Sequence, residues 1–183
     1  MKNTILQTEL SNEVRHLVED RKSLMLATLG QDHFPYASYA PFAVGNDCFY
    51  VLISEIAIHA LNLIRTPKAS VLIIEDEDTA DELFARVRVN YAVSAQRIDP
   101  ATDQEAWSEG LDALEQRHGV RPRKLGALKD FHLFKLVVEQ GRFVRGFGQA
   151  YQFEGPHPYG MDIVHLRDGH KPRNEDPETQ QVM

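Results

Sequence analysis

Arg21-Lys22-Ser23-Leu24-Met25-Leu26-Ala27-Thr28, followed after a short interruption by Pro35-Tyr36-Ala37-Ser38-Tyr39-Ala40-Pro41-Phe42, is the stretch from which the fold is read. Residues 23–29 are apolar at both alternating sets of positions, which predicts a strand buried on two sides, as in a barrel wall covered by another element. Residues 34–44 and 48–53 continue as strands, and Gly45-Asn46-Asp47 between them has the composition of a hairpin turn. Ser38 and Tyr39 place polar tips on an otherwise apolar strand. A plain core hairpin and a hairpin beside a ligand both fit that pattern.

On the N-terminal side, Leu10, Val14 and Leu17 recur at helical spacing and Ser11 can cap, so residues 10–21 are expected to form an amphipathic helix. On the C-terminal side, residues 56–64 read as a short helix with Ile56, Ala60 and Leu63 on one side, stopped by Thr66-Pro67. Residues 69–74 and 86–98 read as strands, separated by the acidic turn Glu75-Asp76-Glu77-Asp78 and a short segment over 81–84. Trp107, Leu111 and Leu114 give a helix over 101–118, ended by Gly119. Strands are expected over 131–138 and 142–153, parted by Glu139-Gln140-Gly141. Many strands, short turns and few helices point to a mainly β, antiparallel α+β fold with flanking helices, not a doubly wound sheet. Periodicity does not say which strands pair.

The chain has 183 residues, enough for one well-filled domain, and a formal charge of −7. An acidic chain argues against nucleic-acid binding, which draws on a basic surface. No apolar run approaches the ~20 residues that span a bilayer, and the first residues lack the apolar core of a signal peptide. The single cysteine, Cys48, excludes an intrachain disulfide and lies in the apolar run Cys48-Phe49-Tyr50-Val51, as a small buried hydrophobe would. A cytoplasmic protein without membrane insertion is expected. No Cys-x-x-Cys-His and no Gly-x-Gly-x-x-Gly occurs, so neither covalent haem attachment nor a dinucleotide site is indicated.

Five stretches carry candidate chemistry. Besides the opening hairpin, His59 in Ser54-Glu55-Ile56-Ala57-Ile58-His59 falls opposite the apolar stripe of its helix, either exposed or facing an adjoining cavity. Arg86 and Arg88 are two apart in an expected strand and so share a face. Their guanidiniums suit phosphate or carboxylate oxygens, or else answer the acidic run before them. Asp130 begins the strand of His132 and Phe134, where a carboxylate can accept from an imidazole Nδ1–H or merely start a turn. The tail Met161-Asp162-Ile163-Val164-His165-Leu166-Arg167-Asp168-Gly169-His170-Lys171-Pro172-Arg173 sets His170 on a pliable Gly/Pro segment among Arg167, Lys171 and Arg173. An imidazole with cations around it is what haem needs, a nitrogen for iron and partners for two propionates. His165 fits an alternating strand pattern instead.

The tail, together with Phe143-Val144-Arg145-Gly146-Phe147-Gly148-Gln149-Ala150-Tyr151, resembles the HutZ/HugZ haem-utilisation family, and the opening hairpin resembles the wider pyridoxamine-phosphate-oxidase-like, FMN-binding split-barrel superfamily. The resemblance covers most of residues 10–173. It implies a single antiparallel split β-barrel over 1–183, with a haem-ligand tail near 155–173; the polar makeup of 174–183 predicts a disordered end. It further implies a homodimer binding haem b, with His170 as iron ligand and Asp130, across the interface, hydrogen-bonded to it. His59, Arg86, Arg88, Arg167 and Lys171 are its expected cofactor-binding residues. The implied reaction is oxidative opening of the porphyrin to a biliverdin-type product with iron release, fed by an external electron donor and supplied by a haem-delivery protein. FMN-dependent oxidoreduction and haem storage without catalysis are the alternatives.

Overall fold

The structure is a computed structural model that describes residues 4–166. Its elements run α1 (Thr4–Asp20), β1 (Ser23–Leu29), β2 (Pro35–Val44), β3 (Cys48–Ser54), α2 (Ile58–Arg65), β4 (Lys68–Ile74), β5 (Arg88–Ile98), α3 (Gln104–His118), α4 (Arg121–Gly126), β6 (Phe131–Gly146), β7 (Gln149–Glu154) and β8 (Val164–His165). The sheet order is β3-β2-β1-β4-β5-β6-β7-β8, every pairing is antiparallel, and β3 also pairs with β6. That extra pairing closes six strands into a barrel and leaves β7 and β8 outside the ring.

The split arises within β6. Its first half pairs with β3 from Ser54↔Phe131 to Cys48↔Val137; its second half pairs with β7 from Gln140↔Glu154 to Gly146↔Gln149. β5 follows it along both halves. The two strands expected over 131–138 and 142–153 are therefore corrected. Glu139-Gln140-Gly141 is no turn: Val93 pairs with Val138 and Ala92 with Gln140, so Glu139 is an extra residue in a β-bulge. The chain reverses later, at Phe147-Gly148, where Gly148 takes φ 71°.

Inside the barrel, Leu24, Leu26, Phe42, Phe49, Val71, Tyr91, Phe134 and Leu136 join one core with Leu10, Val14, Leu17 and Val18 of α1. Phe42, Phe49, Tyr91 and Phe153 form a run of edge-to-face rings at 5.6, 5.0 and 6.0 Å. A second core lies outside the wall, where Trp107, Leu111 and Leu114 of α3 cover Tyr50 of β3 and Leu133 of β6. Each such fully buried side chain stabilises by about 2 kcal/mol. Arg117, also on α3, donates to the carbonyls of Val18 (2.8 Å), Glu19 (3.0 Å) and Arg21, closing the C-terminus of α1.

The two-sided burial expected for 23–29 is also corrected. Leu24, Leu26 and Thr28 point inward, while Ser23, Met25 and Ala27 are exposed, because α3 covers β3 and β6 and leaves the outer side of β1 bare. The helix expected over 56–64 begins at Ile58. Ser54 holds the preceding turn, accepting from Ile56 N (3.2 Å) at Oγ and from Ala57 N (3.0 Å) at its carbonyl, so Ile56 projects outward. α1 starts earlier than expected, at Thr4, and α4 was not foreseen.

Candidate ligand-binding site

α2 closes one mouth of the barrel with polar contacts. Asn62 Nδ2 donates to Thr28 Oγ1 (3.0 Å), and His59 Nδ1 lies 2.8 Å from Ser38 Oγ. The Ser38 hydroxyl donates its one proton to Leu26 O (3.1 Å), so the shared hydrogen is on His59 Nδ1, leaving Nε2 as the basic nitrogen. Burial pushes the His59 pKa below its ordinary value. His59 is thus half-buried in the barrel mouth and held on Ser38, not a free surface imidazole.

At the junction of β3 and β6, Asp130 stands one residue before β6 and accepts at Oδ2 from Ser54 Oγ (2.7 Å), while its carbonyl accepts from Glu55 N (2.8 Å). One carboxylate oxygen is fixed by these contacts. The adjacent buried His132 pairs through Nε2 with the Glu55 carboxylate. Ser54 and Glu55 were missed as site residues; only the pairing Ser54↔Phe131 brings them to Asp130 across 76 residues of chain.

Arg86 and Arg88 do not share a strand face. Arg86 precedes β5, in the turn after a 3-10 segment (Leu83–Ala85), and its guanidinium donates to Glu75 O and lies 3.8 Å from the Glu77 carboxylate. It lines a pocket with Arg21, Tyr39 and Asp76, whereas Arg88 lines a different cleft. The loop that carries Glu75 and Glu77 folds back on Arg86 and draws it away from its neighbour.

The Arg88 cleft has a volume of about 480 Å³. Val144 and Ala150 form its floor, Phe84 one wall, the Gly146–Gly148 turn another, and Arg88 and Arg142 supply charge. Arg88 pairs in register with Val144, and Arg142 with Asn90 and Gln152, so the two arginines are diagonal neighbours on the outer face. Among the described residues neither forms an ion pair, whereas Arg86 faces Glu77 and Arg145 is paired with Glu9 (3.0 Å) and Glu13 (2.8 Å). Of the described residues expected from sequence to bind a cofactor, only Arg88 lines this cleft; His59 and Arg86 do not. Leu166 lies on its rim, its N–H donating to Ala150 O (2.8 Å). His165 is in β8, with its ring 5.0 Å from that of Tyr151, in keeping with the strand role expected of it. Arg167, His170 and Lys171 lie outside the described residues.

The outer face continues from the cleft into apolar surface. A cross-strand row runs Tyr39, Met25, Leu72, Asn90, Arg142, Gln152, and its first members are open, Tyr39 at 68% and Met25 at 54%. Among the described residues no group of three or more His, Cys, Asp and Glu could hold a metal ion. Cys48 is buried with its pKa pushed up to about 12 by desolvation, so it is no nucleophile at neutral pH. No described helix is long and apolar enough to cross a membrane.

Residues 10–145 match the family model of pyridoxamine 5'-phosphate oxidase. The haem oxygenase HutZ of Vibrio cholerae is 42% identical over 171 residues, which are 93% of this chain and 95% of HutZ. The chain belongs to the HutZ/HugZ family of pyridoxamine 5'-phosphate oxidase-like split barrels. The crystal structure of V. cholerae HutZ, there described as a haem storage protein, superposes with a TM-score of 0.69 at 38% identity, over 80% of this chain and 96% of HutZ. Campylobacter jejuni ChuZ superposes with a TM-score of 0.78 at 29% identity, over 91% of this chain and 66% of ChuZ. The closed six-stranded barrel with flanking helices is the fold of this family.

Proposed function

We propose that the protein binds haem b in the Arg88 cleft, beside the interface of a cytoplasmic homodimer, and opens its ring oxidatively for iron release. The observation that carries this reading is the cleft itself: an apolar floor, two guanidiniums without carboxylate partners among the described residues, and Leu166 on the rim. The donor set suits haem: the cleft offers cations for propionates and an apolar surface for the macrocycle, and the tail sequence offers the His170 imidazole for iron. The likeness to HutZ, named both a haem oxygenase and a haem storage protein, supports the same ligand.

Bound haem supplies the iron at which dioxygen or peroxide reacts, and its own ring is the substrate. This chain's residues hold and tune it. His170 ligates the iron, with Arg167 and Lys171 adding positive charge from the tail. Asp130 of a second copy accepts the Nδ1–H of His170, fixing its tautomer and raising the basicity of the other nitrogen. Ser54 occupies one Asp130 oxygen, leaving the second for that bond. Arg88, not Arg86, takes a propionate, because the Glu77 carboxylate lies 3.8 Å from Arg86, whereas Arg88 donates only to the Arg86 carbonyl (2.9 Å) among the described residues. Electrons come from an external donor, and a delivery protein brings the haem.

Titration of the purified protein with haemin tests the binding. A sharp Soret band at one haem per chain, lost or shifted in His170→Ala, is expected. His59→Ala in the same titration examines its assigned pocket role; an unchanged spectrum would leave that residue a barrel plug alone. Turnover with ascorbate, with catalase present to remove free peroxide, should yield a biliverdin-type product; stable bound haem would instead mark a storage protein. No haem binding and co-purifying yellow FMN would replace the reading with a flavin-dependent oxidoreductase, the chemistry named in the matching family model.

A further inference from the structure

We infer that Arg142 is a carboxylate-recognising residue of the Arg88 cleft and makes the site selective for a tetrapyrrole with free carboxylates on one edge. The inference rests on the haem reading above and adds a residue that neither sequence pattern nor family membership assigns.

Arg142 projects from the outer face of β6 between Asn90 and Gln152, with Arg88 on the diagonal. Diagonal positions on adjacent strands lie roughly 7–8 Å apart, so two long guanidinium side chains can hold two oxyanions side by side. The chain carries 27 acidic against 20 basic residues, and the arginines on either side of the cleft are matched with glutamates. Arg142 and Arg88 are not matched among the described residues, and both line the cleft. Two like charges left together repel unless an anion lies between them. The neighbouring surface says which anion. Val144, Ala150 and Phe84 form an apolar bed next to the charges, unsuited to a free inorganic phosphate and suited to an apolar plate whose acidic groups stand on one side. The polar rim from Gln149 and Gln152 can donate further hydrogen bonds without adding charge.

Dissociation constants from Soret titrations of the full chain with haemin and with haemin dimethyl ester test this. The ester has the same iron and ring but no acidic oxygens. The wild type is expected to favour haemin over the ester by about tenfold or more, the scale of a charge-assisted bond. Arg142→Met should weaken haemin about tenfold, leave the ester unchanged and so shrink the preference by the same factor, while Arg142→Lys should restore part of it. Ester binding at wild-type strength doubles as the check that the variant is folded. Arg142→Met binding haemin as tightly as wild type would overturn the inference, as would equal losses for haemin and ester. Failure of the wild type to bind either compound would overturn the haem reading itself and this inference with it.

Discussion

His59 couples the barrel mouth to pH. Its Nδ1–H is given to Ser38, and desolvation holds its pKa below the ordinary value of about 6.5. In the window between the depressed folded value and the ordinary one, the unfolded chain binds a proton that the folded chain does not. The stability contributed by keeping His59 neutral is complete above that window and is lost as pH falls through it. Urea unfolding at pH 7.5 and pH 5 is expected to show a fall in stability on acidification that is smaller in His59→Gln, whose amide can still meet Ser38. An equal fall in both proteins would refute the assignment. A histidine opposite an apolar stripe was visible in the sequence, but its partner lies on a strand 21 residues away, and that pairing alone separates a plug from an exposed imidazole.

β6 is the element on which the architecture turns, and Gly141 is its tightest point. A Cβ there would strike the ring of Phe153 on the paired strand β7. Gly141→Ala should therefore cost about 1–3 kcal/mol by forcing that ring out of its packing against Tyr91. Urea midpoints measure the loss, and Phe153→Leu in the same background should recover part of it; an unperturbed midpoint in Gly141→Ala would show that the ring moves freely. The same glycine explains a misreading. Glu139-Gln140-Gly141 has the composition of a turn, yet two flanking strands compete for this segment and supply more hydrogen bonds extended than a turn would. Local propensity yields to pairing that it cannot detect.

The bare outer side of β1 and β2 belongs to a larger surface. Tyr39 and Met25 are open there, and Ile58, Leu61 and Ile64 of α2 are also exposed. Apolar surface of this kind, continuous with the Arg88 cleft through Leu72 and Asn90, fits burial by a second copy with the ligand site on its margin. Sedimentation should give a two-chain species for the wild type. Met25→Glu combined with Tyr39→Glu should give a monomer with unchanged circular dichroism, since both side chains point away from the core. A monomeric wild type would remove the homodimer from the functional reading, and with it the supply of Asp130 from a second copy.

Alternation and turn chemistry act over a few residues, so β1, β2, β3 and β4, the hairpin at 45–47 and the α3 stripe were legible in the chain itself. The family likeness added barrel closure and pointed to His59, Arg86, Arg88, Asp130 and the tail. Which groups meet was settled by folding, because pairings such as Ser54↔Phe131 and Asn90↔Arg142 join positions far apart in sequence. Arg86 and Arg88 illustrate the difference best. Residue type and spacing make them equivalent, and the fold of one acidic loop neutralises the first while leaving the second in a cleft beside Arg142. A guanidinium's availability depends on which carboxylates reach it through space, and that distance is a property of the folded chain.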